Sequence, residues 1–329
     1  MENKVKGKII CIDNSSQLIS RGYNLCDANG KYMIGDGKYG YPSRFILTRR
    51  FLRAEITGLY KLANGNRLAI AKKGIFLLKQ GSNLFEKVFV TPRGSKPLNL
   101  CLAPSGNIFF GEYFQNKEKQ AVNIYCSEDN GQSWHIAYTF PKGSINHIHG
   151  LFFDNYTNRI WVATGDRDNE CIIGYTEDEF NSFTEVFRGG QEYRTCQLFF
   201  YKDFIVFGTD TQYQQNVIKK FDRETLEVTE LQDVQGSVIK GGQVGDVAFI
   251  STTVEPSKVN TDKYAHLWVT KDGLHWEERY KAKKDWFPFI FQFGTFEFPQ
   301  YYGIEKLERL YFSGRALKGL DGKTTYITL

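Results

Sequence analysis

One short pattern recurs seven times along this chain of 329 residues, and it constrains the fold more than any other feature. Each copy is an apolar run that ends in small residues and then a polar one. The copies are Tyr32-Met-Ile-Gly-Asp36, Arg67-Leu-Ala-Ile-Ala-Lys72, Ile108-Phe-Phe-Gly-Glu112, Ile160-Trp-Val-Ala-Thr-Gly-Asp166, Phe204-Ile-Val-Phe-Gly-Thr-Asp210, Val247-Ala-Phe-Ile-Ser-Thr-Thr253 and Leu310-Tyr-Phe-Ser-Gly-Arg315. Their last positions are 36, 40, 54, 44, 43 and 62 residues apart, spacings that suit a four-stranded blade of about 40–50 residues.

The clearest repeat runs from His147 to Phe187. An inner strand over His147–Asp154 turns at Asn155-Tyr-Thr-Asn158 into a second over Arg159–Gly165, followed by a third at Cys171–Tyr175 and an outer one at Phe183–Phe187. Elsewhere apolar residues alternate or run continuously, with turn residues every 8 to 12 positions, and no helix of four turns is expected. Aromatic residues make up 16% of the chain, and these fit a pleated, half-buried surface. The reading is an all-β, seven-bladed β-propeller of four-stranded antiparallel blades, with six blades as the alternative. It forms one domain over residues 1–329. The last repeat lacks a fourth strand, so Gly7–Asp13 is expected to supply it by pairing with Thr324–Leu329, closing the ring.

Composition narrows the partners. A net charge of +5, with charges interspersed, gives no basic stripe for nucleic acid. No apolar run reaches the ~18 residues of a membrane span, and the N-terminus has no secretory apolar region. Six scattered cysteines, most of them within apolar runs, point to a reducing, cytoplasmic setting.

Ser127-Glu-Asp129-Asn-Gly131-Gln-Ser133-Trp134 resembles the Asp box, S-x-D-x-G-x-[ST]-W, of sialidase-like propellers, which carry it as a repeated turn (the BNR repeat). Thr270-Lys-Asp272-Gly273-Leu-His-Trp276 is a copy one residue short. Thr176-Glu-Asp178-Glu-Phe-Asn-Ser182-Phe183 lacks the glycine and has Phe for Trp. The aspartate can accept backbone N–H groups, and the glycine can take the positive φ of a tight turn. The resemblance implies a structural role for the box, away from the ligand face. It also prompts a search for the arginines of a sialidase site: Arg44, Arg194 and Arg315 are candidates, but no segment supplies a Tyr nucleophile with its Glu.

The repeat itself offers a second route to a site. Loops leaving each second strand share one face of a propeller, so Asp36, Glu112, Asp166 and Asp210 are expected around one channel mouth, with Arg315 at the seventh position. Any one of these acids is more simply a turn former, accepting local backbone N–H groups. His147 and His149, two residues apart on one strand, share a face and are candidate ligands for a divalent cation, although two ligands do not define a site. Glu192, Tyr193, Arg194 and Gln212 are candidate substrate contacts. The leading expectation is an intracellular carbohydrate-active hydrolase, with a carboxylate pair acting on an anionic glycan or sugar conjugate. The alternatives are a metal-dependent oligosaccharide lyase, similar to propeller lyases that degrade uronic-acid oligomers, and a non-catalytic glycan- or protein-binding propeller.

Overall fold

The computed structural model describes residues 4–329, which divide into two compact units; strands, nearly all paired antiparallel, are the main regular structure, with one short α-helix at Ile46–Leu52. The first unit, residues 34–36 and 56–196, contains three four-stranded meanders. Gly58–Lys61, Arg67–Ala71, Gly74–Leu78 and Leu84–Val90 form one; Cys101–Leu102, Ile108–Gly111, Val122–Ser127 and His135–Phe140 form the next. The third comprises His147–Asp154, Arg159–Gly165, Ile172–Thr176 and Thr184–Arg188, within a residue of the boundaries expected from the sequence.

Strand burial follows strand position. Gly74–Leu78 is buried throughout and Arg159–Gly165 nearly so, because they lie inside a sheet with both faces packed. The outer strands His135–Phe140 and Thr184–Arg188 are largely exposed and carry the polar residues. In each meander the pairing of third with fourth strand slips by one residue, at Ile75/Phe76, Ile124/Tyr125 and Ile173/Gly174. Such a bulge increases local twist. Adjacent sheets share clusters of buried side chains, among them Phe109, Ile124, Ile148, Leu151 and Val162.

The second unit covers residues 4–33, 37–55 and 197–329. Phe204–Thr209, Asn216–Asp222 and Val228–Val234 belong to one four-stranded sheet, and Val238–Val244 through Glu277–Lys283 form another. Both repeat the bulge, at Ile218/Lys219 and Leu267/Trp268. A third sheet orders Thr295–Glu297, Arg309–Arg315, Lys323–Thr328 and Val5–Lys6. The N-terminal strand thus does pair with the C-terminal one, but in a different register from that expected: Val5 opposes Thr324 and Lys6 opposes Lys323. Lys8–Asp13 instead pairs with Gln17–Arg21 on one side and, in parallel, with Gln300–Tyr302 on the other. Gly7, at φ 113, turns the chain from one sheet into the next.

This places the first repeat out of phase. Lys31–Ile34 follows Gln17–Arg21 and Asn24–Cys26 in its meander, so Asp36 leaves a late strand rather than a second one. The cause is a short first meander, whose strands of three to five residues were too brief to register as separate repeats. Five of the other six copies end a strand that is second in its meander, and the copy at Arg309–Arg315 is second in its sheet order.

The three aspartate turns share one geometry. Asp129 Oδ1 accepts from the backbone N–H of Gln132 and Ser133, each at 2.9 Å, and Asp178 Oδ1 accepts from Ser182 N–H at 2.9 Å. Asp272 Oδ1 takes the N–H groups of Leu274 and His275 at 2.8 and 2.9 Å, and His275 replaces the usual hydroxyl residue beside Oδ2. Gly131 and Gly273 sit at φ 82 and 78; where the middle turn lacks glycine, Phe180 is held at φ 78 and its ring is buried against Phe109.

Candidate functional site

The one cluster of sequence-selected residues that converges within a unit is built on the inner strand His147–Asp154. Opposite it, His147 pairs with Gly165 and Ile148 with Thr164, and then the register slips so that Gly150 meets Ala163. His149 occupies the slip. A bulge re-aims a side chain, and here it turns the His149 ring towards that of His147: their Nε2 atoms are 3.1 Å apart. Gly165 makes room for this, because a Cβ there would lie 2.5 Å from His149 Cε1.

Both rings are held from behind. His147 Nδ1 donates to the Phe114 carbonyl and His149 Nδ1 to the Thr195 carbonyl, each at 2.9 Å. A carbonyl only accepts, so each Nδ1 carries hydrogen, and the two Nε2 atoms are turned towards one another and towards Asp166. The Tyr113 ring packs on His147 at 4.3 Å between centroids, and both histidines are buried.

Asp166, one residue beyond the second strand, completes the group. Its Oδ1 lies 3.4 Å from His147 Nε2 and 3.3 Å from His149 Nε2. Oδ2 accepts from Asn146 Nδ2 at 2.9 Å, and Arg194 Nη2 sits 3.0 Å from Oδ1. Burial pushes the Asp166 carboxyl up, but hydrogen bonds and charge from the two imidazoles override it and hold the group well below the usual carboxylate range. Gln191, on the short turn Gln191–Tyr193, ties the Asp166 carbonyl at 2.9 Å to the Asp168 carboxylate at 2.8 Å.

Three donor atoms 3.1, 3.3 and 3.4 Å apart match the edges of a coordination polyhedron. A tetrahedral divalent ion with bonds of about 2.0–2.2 Å separates its ligands by about 3.3–3.6 Å. Two imidazoles with Nδ1 fixed on carbonyls are the usual outer support of such ligands. Three protein ligands leave positions open for water or substrate, the pattern of a catalytic rather than a structural ion.

The other sequence candidates of the first unit are held by partners of their own. Glu112 is buried and gripped by Arg93, with Nε 3.0 Å from Oε1, and Nη2 on Oε2, which also accepts Asn123 N–H at 2.9 Å. Asp36 takes Lys87 Nζ at 2.9 Å. Tyr193 stacks on Phe187, 4.8 Å between centroids, and the Glu192 side chain folds over Gly190. In the second unit, Asp210 is buried after Phe204–Thr209 and Gln212 is half-buried. Arg315 faces Glu297, Nη1 to Oε1 3.4 Å. Arg44 is exposed. Asn146 and Gln191 were missed. Their only signal was position, one residue before His147 and three before Arg194.

No family model matches the sequence, and no curated protein does. Solved structures resemble it in fold. A chain of the mitotic checkpoint complex aligns over 100% of this chain and 91% of its own length, with a TM-score of 0.57 and 9% identity. A prolyl endopeptidase aligns over 94% of this chain and 46% of its own, with a TM-score of 0.54 and 10% identity. The extracellular domain of a proposed one-component system from B. thetaiotaomicron aligns over 100% and 40%, with a TM-score of 0.58 and 11% identity. These likenesses define the chain as a β-propeller-like protein, and at such identities they speak to fold alone.

Proposed function

We propose that this chain is a seven-bladed, Asp-box-type propeller that acts as a divalent-metal-dependent lyase on an anionic carbohydrate. The observation that carries the metal is the facing of two Nε2 atoms at 3.1 Å, with Asp166 Oδ1 within 3.4 Å of both. Like-polarity atoms at that distance repel unless a proton or a cation lies between them. The six in-phase strand-end copies, the three aspartate turns and the pairing of Val5–Lys6 with Lys323–Thr324 support the closed ring.

Charge supports the substrate class. Within the first unit, an ion of charge +2 with the Arg194 guanidinium and the Asp166 and Asp168 carboxylates leaves one positive charge, and both histidines are neutral as ligands. A uronate carboxylate would offset that excess. When bound, the ion supplies Lewis acidity that makes the proton next to such a carboxylate easier to remove. His147, His149 and Asp166 orient the ion, Arg194 holds Asp166 and presents a fixed cation to the substrate, and Asn146 and Gln191 fix the Asp166 loop. Hydrolysis by two carboxylates is less well supported, since Glu112 and Asp36 are each committed to a basic partner.

The test is metal content by mass spectrometry and titration calorimetry with Mn²⁺ and Zn²⁺, alongside ultraviolet detection of unsaturated product from uronic-acid oligomers. The wild type should bind one ion per chain and lose turnover with chelator. Binding unchanged in His147→Ala or Asp166→Asn would refute the metal site. Cleavage without an unsaturated product would refute the lyase.

A further inference from the structure

The second unit carries a surface the site does not use. Nineteen large apolar side chains are exposed among the described residues, and eight of them fall in two short segments: Tyr41, Phe45, Ile46, Leu47 and Phe51, and Trp286, Phe289 and Ile290. The segments form one surface. Arg50, buried beneath them, bonds Asp285 at 2.6 Å and lies under the Phe287 ring, while its carbonyl accepts from Gln292 Nε2 and Phe51 packs on Phe291. Scattered exposed apolar residues are ordinary, but a contiguous cluster of this kind marks an interaction surface.

Its chemistry is directional. Residues 37–53 contain five cations and no acid, and residues 286–295 contain no charge at all. Arg49 and Arg50 are consumed by buried Glu55 and half-buried Asp285 and Asp321. Arg44, Arg53, Lys283 and Lys318 are exposed and make no ion pair among the described residues. The apolar cluster is therefore bordered by cations, and the acids Asp285 and Asp321 below it are already neutralised. Trp286 is 83% exposed, stacked on Phe287 at 4.1 Å, so it projects rather than fills a groove.

We propose that this surface seats on an anionic lipid bilayer, with Phe45, Leu47, Trp286 and Ile290 entering the headgroup–acyl boundary and Arg44 and Arg53 meeting the lipid charge. Projecting Trp, Phe and Leu side chains ringed by Arg and Lys are what a peripheral membrane anchor requires. A second copy of the chain fits less well, because a two-fold contact would press Arg44 and Arg53 onto like charges.

The experiment is co-sedimentation of the full chain with vesicles of phosphatidylcholine alone and of phosphatidylcholine with phosphatidylglycerol. The wild type should pellet with the anionic vesicles and be released as salt is raised. Each arginine contributes about fivefold, so Arg44→Ala with Arg53→Ala should weaken binding roughly 25-fold. Leu47→Ser with Trp286→Ser should abolish pelleting at an unchanged urea midpoint. Should that pair fail to fold, Trp286→Ser alone, at a nearly fully exposed position, should lower binding roughly tenfold. Wild-type protein that stays in solution with anionic vesicles at low salt would overturn the proposal. Equal binding to neutral vesicles would also overturn it, as would a concentration-dependent dimer that Trp286→Ser dissolves.

Discussion

Replacing Asp129 by alanine removes one carboxylate and orphans four donors. Oδ1 accepts the backbone N–H groups of Gln132 and Ser133, each at 2.9 Å, and Ser127 Oγ at 2.8 Å; Oδ2 accepts Ser133 Oγ at 2.6 Å. These bonds hold Asn130 and Gly131 in the left-handed region, at φ 59 and 82, and the turn delivers Trp134 against Phe89 and Phe110. A buried hydrogen bond to a charged acceptor is worth about 1.5–3 kcal/mol, but water reaches most of these donors. Discounting each to about 0.5 kcal/mol gives a loss of about 2 kcal/mol. Urea denaturation followed by tryptophan fluorescence measures it directly. Its pH dependence has a definite sign. Burial raises the Asp129 carboxyl, but its hydrogen bonds, chiefly from Ser133, outweigh that and hold it low in the folded state. The stabilisation is therefore complete above the unfolded carboxylate value and disappears as pH falls through the folded one. Wild type and Asp129→Ala should converge in strong acid and separate near neutrality, with metal affinity equal in both. A midpoint shift below a few tenths of a kcal/mol, or weakened metal binding at an unchanged midpoint, would refute the idea that this turn is a brace.

Three further outcomes follow from the geometry. Gly165→Ala places a methyl 2.5 Å from His149 Cε1 and should weaken Mn²⁺ binding at least tenfold by calorimetry, while overpacking costs about 1–3 kcal/mol in urea. Glu112→Gln breaks the Arg93 pairing, and about 1–3 kcal/mol of stability should go with no change in metal affinity; altered affinity would return Glu112 to the site. Lys8→Met leaves Glu55 and Glu297 buried beside one another and should cost about 3–5 kcal/mol. Burial lowers the Lys8 ammonium, but Glu297 and Glu55 raise it further, so its contribution is present below the unfolded value and fades as pH climbs through the folded one. Burial raises Glu297, but Lys8 and Arg315 hold it low, so its share is lost as pH falls. Melting curves across pH should show both limbs in the wild type and a flatter alkaline limb in Lys8→Met.

The sequence was most legible where one strand fills one role. Arg159–Gly165 announces itself because an interior strand packed on both faces must be apolar throughout, and its terminal Gly-Asp therefore stands out. The same rule misled at the first repeat, where strands of three to five residues carry too little pattern and Lys31–Ile34 passed for a second strand. It is also why the N-terminal pairing was shifted: Lys8–Asp13 is the more apolar segment, but the two residues before Gly7 are the ones that reach Lys323 and Thr324. At the site, alternation correctly placed His147 and His149 on one face, but alternation alone would leave their rings a full pleat apart. Their approach to 3.1 Å depends on a one-residue slip between Ile148 and Gly150 and on the missing Cβ of Gly165, neither of which has a periodic signature. Asp166 was chosen as one of four equivalent acids, yet equivalence of position does not determine what a carboxylate meets. Arg93 reaches Glu112 from an adjoining loop and Lys87 reaches Asp36 from another strand, while Asp166 meets two imidazoles and Arg194. A repeat makes backbone positions alike. The loops between its copies decide which of those positions is left with a ligand's work to do.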